Sequence, residues 1–197
     1  TPPPMAVSTT ESFLDLLVAS KLLTHAQIET LRAGADDDPK TFATRLVKQG
    51  LLTRWQAQQL LSGKSKFFLG KYKLLETIGQ GGMGTVLKAE QIGIGRIVAL
   101  KLMSKAVLKN PDAVNRFLRE IRSAAALNHP HIVAAYDASS EGSQYFLVME
   151  YVNGRDLKEW IKKHRQLPID WACECVRQAA EGLQHAHEHG MIHRDIK

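Results

Sequence analysis

Apolar residues recur three and four positions apart through the first sixty residues of the chain, and then the spacing changes. Phe13 with Leu16 and Leu17, Ile28 with Leu31, Phe42 with Leu46, and Trp55 with Leu60 mark four short segments, each with one apolar face at helical spacing. From residue 72 the pattern turns to strand-like runs. Residues 72–78 read as a first strand; Thr85, Val86, Leu87, Lys88, Ala89 and Glu90 alternate, and residues 96–101 are a further β-rich run. Asn110 and Pro111 then open a helix, as N-cap and first helical residue, in which Val114, Phe117, Leu118, Ile121, Ala124 and Ala125 repeat at helical spacing. Residues 127–133 break that helix and start a fourth strand, and residues 144–148 form a fifth. Residues 170–189 predict a long amphipathic helix with Ala172, Val176, Ala179, Leu183 and Ala186 facing inward.

The four early segments come as two copies. LVASKLLTHAQIETLRAG at residues 17–34 returns as LVKQGLLTRWQAQQLLSG at residues 46–63, with eight of eighteen positions identical at a period of 29. In each copy a helix ends near Lys21 or Gly50, and a Leu-Leu pair leads to Thr24 or Thr53 at the start of the next. Thr24 with Gln27 and Thr53 with Gln56 fit the capping box, in which a hydroxyl and an amide satisfy N–H groups that the first turn leaves unpaired. Two helical hairpins packed as a small four-helix unit follow from this plan, over residues 11–66, behind a mobile lead-in of residues 1–10 with three prolines. Asp36, Asp37 and Asp38 lack further spaced ligands and read as a solvated turn entering a helix at Pro39. The repeat is similar in rhythm to helical modules that precede secretion-system ATPases, a likeness too short to carry a ligand across. It suggests a docking or regulatory unit with a protein partner, against the plainer reading of a stabilising extension.

Composition narrows the picture only a little. Hydrophobic residues make up 44% of the chain and charged residues 23%, which fits one or two globular domains. The net charge of +6 is spread without a basic run or a nucleic-acid-reading motif, so no nucleic-acid partner is expected. Cys173 and Cys175 form neither a redox pair nor half of a usual zinc site, which points to a reducing compartment. No apolar run reaches the roughly 18 residues a bilayer needs, so no membrane contact is expected of these residues and a cytoplasmic location is, with any anchor of the parent lying elsewhere. Thr1 at the start and a motif interrupted at Lys197 suggest a piece of a longer polypeptide.

The chemistry concentrates between Ile78 and Lys101. Gly79, Gly81 and Gly84 give G-x-G-x-x-G, with Gln80, Gly82 and Met83 between them and Thr85 and Val86 after. Glycines let backbone approach a ligand closely, but the same spacing opens dinucleotide-binding βαβ units, where a helix must follow. Here a strand is expected instead, so the glycines cap a hairpin that clamps a nucleotide. Ala99 and Lys101, two apart on a strand, share a face: a small residue beside a base, then a cation near its phosphates. Taken alone, Lys101 is an ordinary strand lysine.

On these motifs, and on His193, Arg194, Asp195, Ile196 and Lys197 at the end, the chain from about Tyr72 resembles the eukaryotic-like (Hanks-type) serine/threonine protein kinases of bacteria. The resemblance implies an α+β fold: an N-lobe of five antiparallel strands and one helix, then the first helices of the C-lobe, within residues 71–197. It implies ATP and Mg²⁺ as cofactors and a protein hydroxyl as acceptor, with serine or threonine favoured by Asp195-x-Lys197. Asp195 would orient the hydroxyl and Lys197 steady the transferring phosphate. Glu120 would pair with Lys101, although among Arg116, Arg119 and Arg122 it also reads as part of a salt-laced surface. Met149, Glu150 and Val152 resemble the hinge that meets the adenine edge, with Met149 as gatekeeper. Asp156 matches a position that meets ribose in many kinases and equally reads as an N-cap. The catalytic-loop asparagine and the magnesium-binding Asp-Phe-Gly would fall past residue 197, so no metal ligand is expected within these residues, and the piece by itself is expected to be inactive. A pseudokinase scaffold working through the helical repeat is the alternative. His129, His131, His185 and His189 read as structural.

Overall fold

A computed structural model describes residues 7–81, 84–104, 108, 112, 114, 119, 125–194 and 196. Helices α1 (Thr10–Ser20), α2 (His25–Arg32), α3 (Pro39–Lys48) and α4 (Arg54–Leu61) come first. Thr9, Thr24, Asp38 and Thr53 each cap the helix that follows by accepting a first-turn N–H. Both predicted capping boxes are complete, with Gln27 and Gln56 reaching back to the cap backbone. Asp38 accepts from the Thr41 hydroxyl and the Thr41 N–H, both at 2.8 Å, and these bonds, the hydroxyl's first, hold its carboxyl below the ordinary aspartate value. The reversal between α1 and α2 turns on Lys21 at φ 56°, where the second copy has Gly50 at φ 72°.

Phe13, Leu17, Ile28, Phe42, Leu46 and Leu60 are buried and Leu16, Leu31 and Trp55 partly so, as the helical spacing requires. Phe13 meets Phe42 edge to face at 5.8 Å between ring centres. Leu14, Leu22, Ala43, Leu52 and Ala57 are buried with them, and so is Phe67, from the stretch that follows α4.

Six strands form one antiparallel sheet: β1 (Phe68–Leu69), β2 (Tyr72–Gly81), β3 (Gly84–Gln91), β4 (Arg96–Met103), β5 (Ala135–Glu141) and β6 (Gln144–Glu150), hydrogen-bonded in the order β1-β2-β3-β4-β6-β5. The class is α+β, with one strand more than the five expected. That extra strand, β1, is only two residues long; it folds back over Gly70, at φ 54°, to place Phe68 opposite Lys73 and Leu69 opposite Tyr72. The fourth long strand starts later than predicted, at Ala135, because residues 129–132 make a turn closed by the Ile132 N–H on His129 O at 3.0 Å.

Helix α5 (Leu157–His164) and helix α6 (Ile169–Glu188) follow. The inward face predicted for α6 is corrected in part. Gly182 and Ala186 are buried, four apart, but Ala179 is exposed and Val176 is 69% exposed. The physical reason lies at Gly182, where a β-carbon would stand 3.0 Å from His131 O. The helix makes its closest approach there, near its C-terminal end, and among the described residues nothing covers Val176. Asp112, Val114, Arg119 and Ala125 are helical, as the 110–125 segment predicts; Leu108, ahead of the predicted start, is helical too, and the expected cap, Asn110 and Pro111, lies outside the described residues.

The chain divides into two compact units. One comprises residues 1–80 and 86–97, holding helices α1–α4 with β1 and most of β2 and β3; the other comprises residues 81–85 and 98–197, with α5 and α6.

Candidate functional site

The glycine motif lies at a hairpin tip. β2 ends at Gly81 and β3 begins at Gly84, and Gly82 and Met83 lie outside the described residues. A strand and not a helix follows the glycines, which removes the dinucleotide-binding alternative. The three glycines do different work. A β-carbon on Gly79 would rest 3.5 Å from the Val86 Cβ, an ordinary contact, and one on Gly81 would meet nothing within 4 Å. At Gly84, with φ 152°, it would run into the carbonyl oxygen of Leu102 and lie 3.0 Å from its carbonyl carbon. Gly84 thus permits its backbone to press against the residue that follows Lys101. Ile78 and Gln80, before the tip, are exposed, and Thr85 and Val86, after it, are half-buried.

In the second unit, β4 and β6 pair with Ala99 opposite Met149 and Lys101 opposite Leu147. Residues directly opposite share a face of an antiparallel pair, so Ala99, Lys101, Leu147 and Met149 stand on one face. The other face carries Leu100 against Val148 and Leu102 against Phe146. Leu100, Val148 and Phe146 are buried there, whereas Lys101 and Met149 are half-buried. The cation therefore rises from the less covered side of a ladder anchored on its other side. Gln144 tightens the far end by donating from Nε2 to Met103 O at 3.0 Å.

Beyond Met149 the strand hands over to the segment read as a hinge. The Glu150 N–H donates to Ala134 O at 2.9 Å, and the Glu150 carboxylate accepts the Ala134 N–H at 3.2 Å. This side chain is occupied in tethering the start of β5, a role that sequence reasoning missed because its partner is a main-chain group. Val152 is 62% exposed. A groove of about 430 Å³ passes Glu150 and Val152 on the side of Ile132, Val133 and Cys175. Asp156 caps α5, its Oδ1 accepting from the Glu159 N–H at 2.6 Å. Glu120, Asp195 and Lys197 lie outside the described residues.

Four histidines gather in the second unit, His129, His131, His185 and His189. His129 stacks on His185 at 5.1 Å, His185 meets His189 at a tilt with ring centres 4.3 Å apart, and the His131 N–H donates to His129 Nδ1 at 3.2 Å. Among the described residues no three His, Cys, Asp or Glu side chains are grouped so as to hold a metal ion, and no described helix is long and apolar enough to cross a membrane.

A glycine-tipped hairpin, a lysine two residues past a small buried one, and a paired strand leading to a hinge define the nucleotide lobe of a kinase. Residues 72–197 match the family model described as protein kinase domain, and the chain belongs to that family. Within it the similarity is to serine/threonine kinases of bacteria. The chain is 41% identical to serine/threonine-protein kinase PrkC of Bacillus subtilis over 128 residues, covering 65% of this chain and 20% of that protein. It is 40% identical to serine/threonine-protein kinase PknB of Mycobacterium leprae over 131 residues, covering 64% and 21%. The crystal structure of the Mycobacterium tuberculosis PknI kinase domain superposes with a TM-score of 0.58 at 30% identity, covering 66% of this chain and 53% of that one. The chain thus spans about a fifth of the length of these curated relatives. The family generally uses ATP and Mg²⁺.

Proposed function

We propose that this chain supplies the nucleotide-gripping part of an ATP-dependent serine/threonine protein kinase, which moves the γ-phosphoryl group of ATP to a protein hydroxyl. The observation that supports it most directly is the β4–β6 register, which sets Ala99 beside Met149 and Lys101 one step along the same face. A small side chain there leaves room for a flat base, and the ammonium two residues on reaches the phosphates.

In this reading the hairpin tip lays backbone N–H groups over the phosphates, and Lys101 holds them by charge. The main-chain groups of Glu150 and Val152 meet the adenine edge, with Met149 closing the pocket behind it. Asp195 orients the acceptor hydroxyl as its oxygen attacks the γ-phosphorus; the bond to the bridging oxygen of ADP breaks, and the hydroxyl proton is drawn to the Asp195 carboxylate. Lys197 offsets the charge that builds on the equatorial oxygens. Glu120 keeps Lys101 in its active pose, and Asp156, besides capping α5, meets the ribose. Bound magnesium would neutralise phosphate charge, but the described residues offer no ligand cluster for it and no step is drawn through it. Residues 11–66 take a protein partner in this reading.

The test is Lys101→Met in the full-length protein with ATP and magnesium, scored by phosphoserine and phosphothreonine in mass spectra. Autophosphorylation should fall at least about a hundredfold. A Lys101→Met protein that phosphorylates at the wild-type rate removes Lys101 from the role.

A further inference from the structure

The two copies of the helical repeat carry the same capping box but use it differently. In both, the threonine hydroxyl accepts the N–H of the glutamine three residues on, at 3.3 Å for Thr24 and 3.0 Å for Thr53. In both, the glutamine Oε1 accepts the threonine N–H, at 2.8 Å and 2.9 Å. These two reciprocal bonds complete the capping box, and the box itself needs nothing more. In the first copy the Thr24 hydroxyl turns back to Gln27 Oε1 at 3.0 Å, and both residues are exposed.

In the second copy the remaining donors leave the helix. The Thr53 hydroxyl donates to Leu75 O at 2.6 Å, and Gln56 Nε2 donates to Leu74 O at 2.7 Å. Gln56 is 1% exposed, one of two buried polar side chains among the described residues. Its neighbour Trp55, at the position of Ala26 in the first copy, packs edge to face on Phe67 at 5.9 Å. Phe67 in turn accepts the Leu74 N–H on its carbonyl at 2.8 Å. Strand β1 pairs with Tyr72 and Lys73, and its last main-chain bond to β2 is this one at the Leu74 N–H; the Leu74 and Leu75 carbonyls are taken by the helix side chains instead. Unpaired edges are commonly covered by a helix or loop. Here the cover is specific, since two successive carbonyls are met by two donors of one capping box.

We propose that Thr53 and Gln56 are positioning residues for the β2 arm of the glycine motif: the second repeat fixes β2 four to five residues before Gly79 and so sets how firmly that arm holds a nucleotide. This inference rests on the kinase reading given above. A buried amide aimed at a strand carbonyl holds register as well as position, because losing its donor leaves a buried acceptor unmet. The first copy, lacking any strand against it, supplies an internal control.

The experiment compares Gln56→Glu with Gln27→Glu in the full-length protein, by steady-state phosphorylation with ATP varied. Glutamate completes a capping box as well as glutamine does, so both variants keep the cap, and only Gln56→Glu loses a donor to β2. Thr53→Asp, at a half-buried position, makes the same point from the other bond: aspartate caps well but has no hydroxyl to donate, and Thr24→Asp is its control. The expected result is a KM for ATP raised about fivefold or more in Gln56→Glu and Thr53→Asp with kcat within about twofold, no change in the two first-copy variants, and wild-type KM restored by Thr53→Ser. If Gln56→Glu or Thr53→Asp folds and shows wild-type KM for ATP, the positioning role is overturned while the kinase reading stands. A wild-type protein with no phosphotransfer at all would instead overturn the kinase reading and this inference with it.

Discussion

Gly84 stands against the carbonyl of Leu102 so closely that no β-carbon fits between them. The contact joins the last glycine of the loop to the strand position beside Lys101. Because the obstacle is backbone and not a flexible side-chain end, Gly84→Ala must move the strand itself. We expect a loss of about 1–3 kcal/mol in stability together with lost nucleotide binding. Gly81→Ala, where a β-carbon meets nothing within 4 Å among the described residues, should melt like wild type, and any effect should appear in nucleotide affinity alone. Thermal melts and nucleotide titration of the pair check this; equal melting temperatures would refute the steric account.

The helical core predicts its own weakest point. Phe42 is fully buried, meets Phe13 edge to face and lies under the Arg45 guanidinium, 5.1 Å from the ring centre. Phe42→Ala removes a large buried ring and should cost about 3–5 kcal/mol. Urea unfolding followed by circular dichroism will measure it.

Lys21 offers the opposite change. It holds a left-handed conformation that costs a residue with a β-carbon, where the second copy has Gly50. Lys21→Gly should therefore stabilise the first hairpin by up to about 1 kcal/mol, after allowing for the greater freedom of glycine in the unfolded chain. A lower melting temperature in the variant would contradict the reading.

Helix α6 carries an acid-sensitive cluster on its exposed face. Arg177 donates to both oxygens of Glu174, at 2.6 Å and 2.8 Å, and also to Glu181. The Arg177 hydrogen bonds, then that of Gln178, lower the Glu174 carboxyl from its ordinary 4.5 to about 2. A depressed folded-state value means the stabilisation is complete above pH 4.5 and is lost as pH falls toward 2. Since the group is exposed, the effect is modest and screened by salt. Helicity of wild type should fall more steeply than that of Glu174→Gln across this window; parallel acid titrations would exclude the cluster as the cause.

Much of this was legible in the residues. The repeat declared both capping boxes, because each needs only a hydroxyl and an amide three positions apart. The glycine spacing and the alternation after Thr85 placed the hairpin, and Ala99 and Lys101 their shared face. What escaped was long-range. β1 is too short to show a period, so Phe67 and Phe68 fall between the predicted helical unit and the predicted first strand, although Phe67 belongs to the core. Gln56 reads the same as Gln27 in sequence, and only the nearness of β2 distinguishes them. Val176 sits at a helical position that looks inward, yet the packing of α6 is decided at Gly182, where the missing side chain leaves no apolar signal to read.

The aromatic pair of Trp55 and Phe67 bears on where this polypeptide tolerates being cut. The family match begins at Tyr72, and trimming to that point would discard Phe67 and α4 together. Leu74, 8% exposed in the intact chain, would then face water beside two bare carbonyls, and such a margin recruits neighbouring molecules. The natural unit for expression accordingly begins ahead of the repeat, not at the catalytic homology.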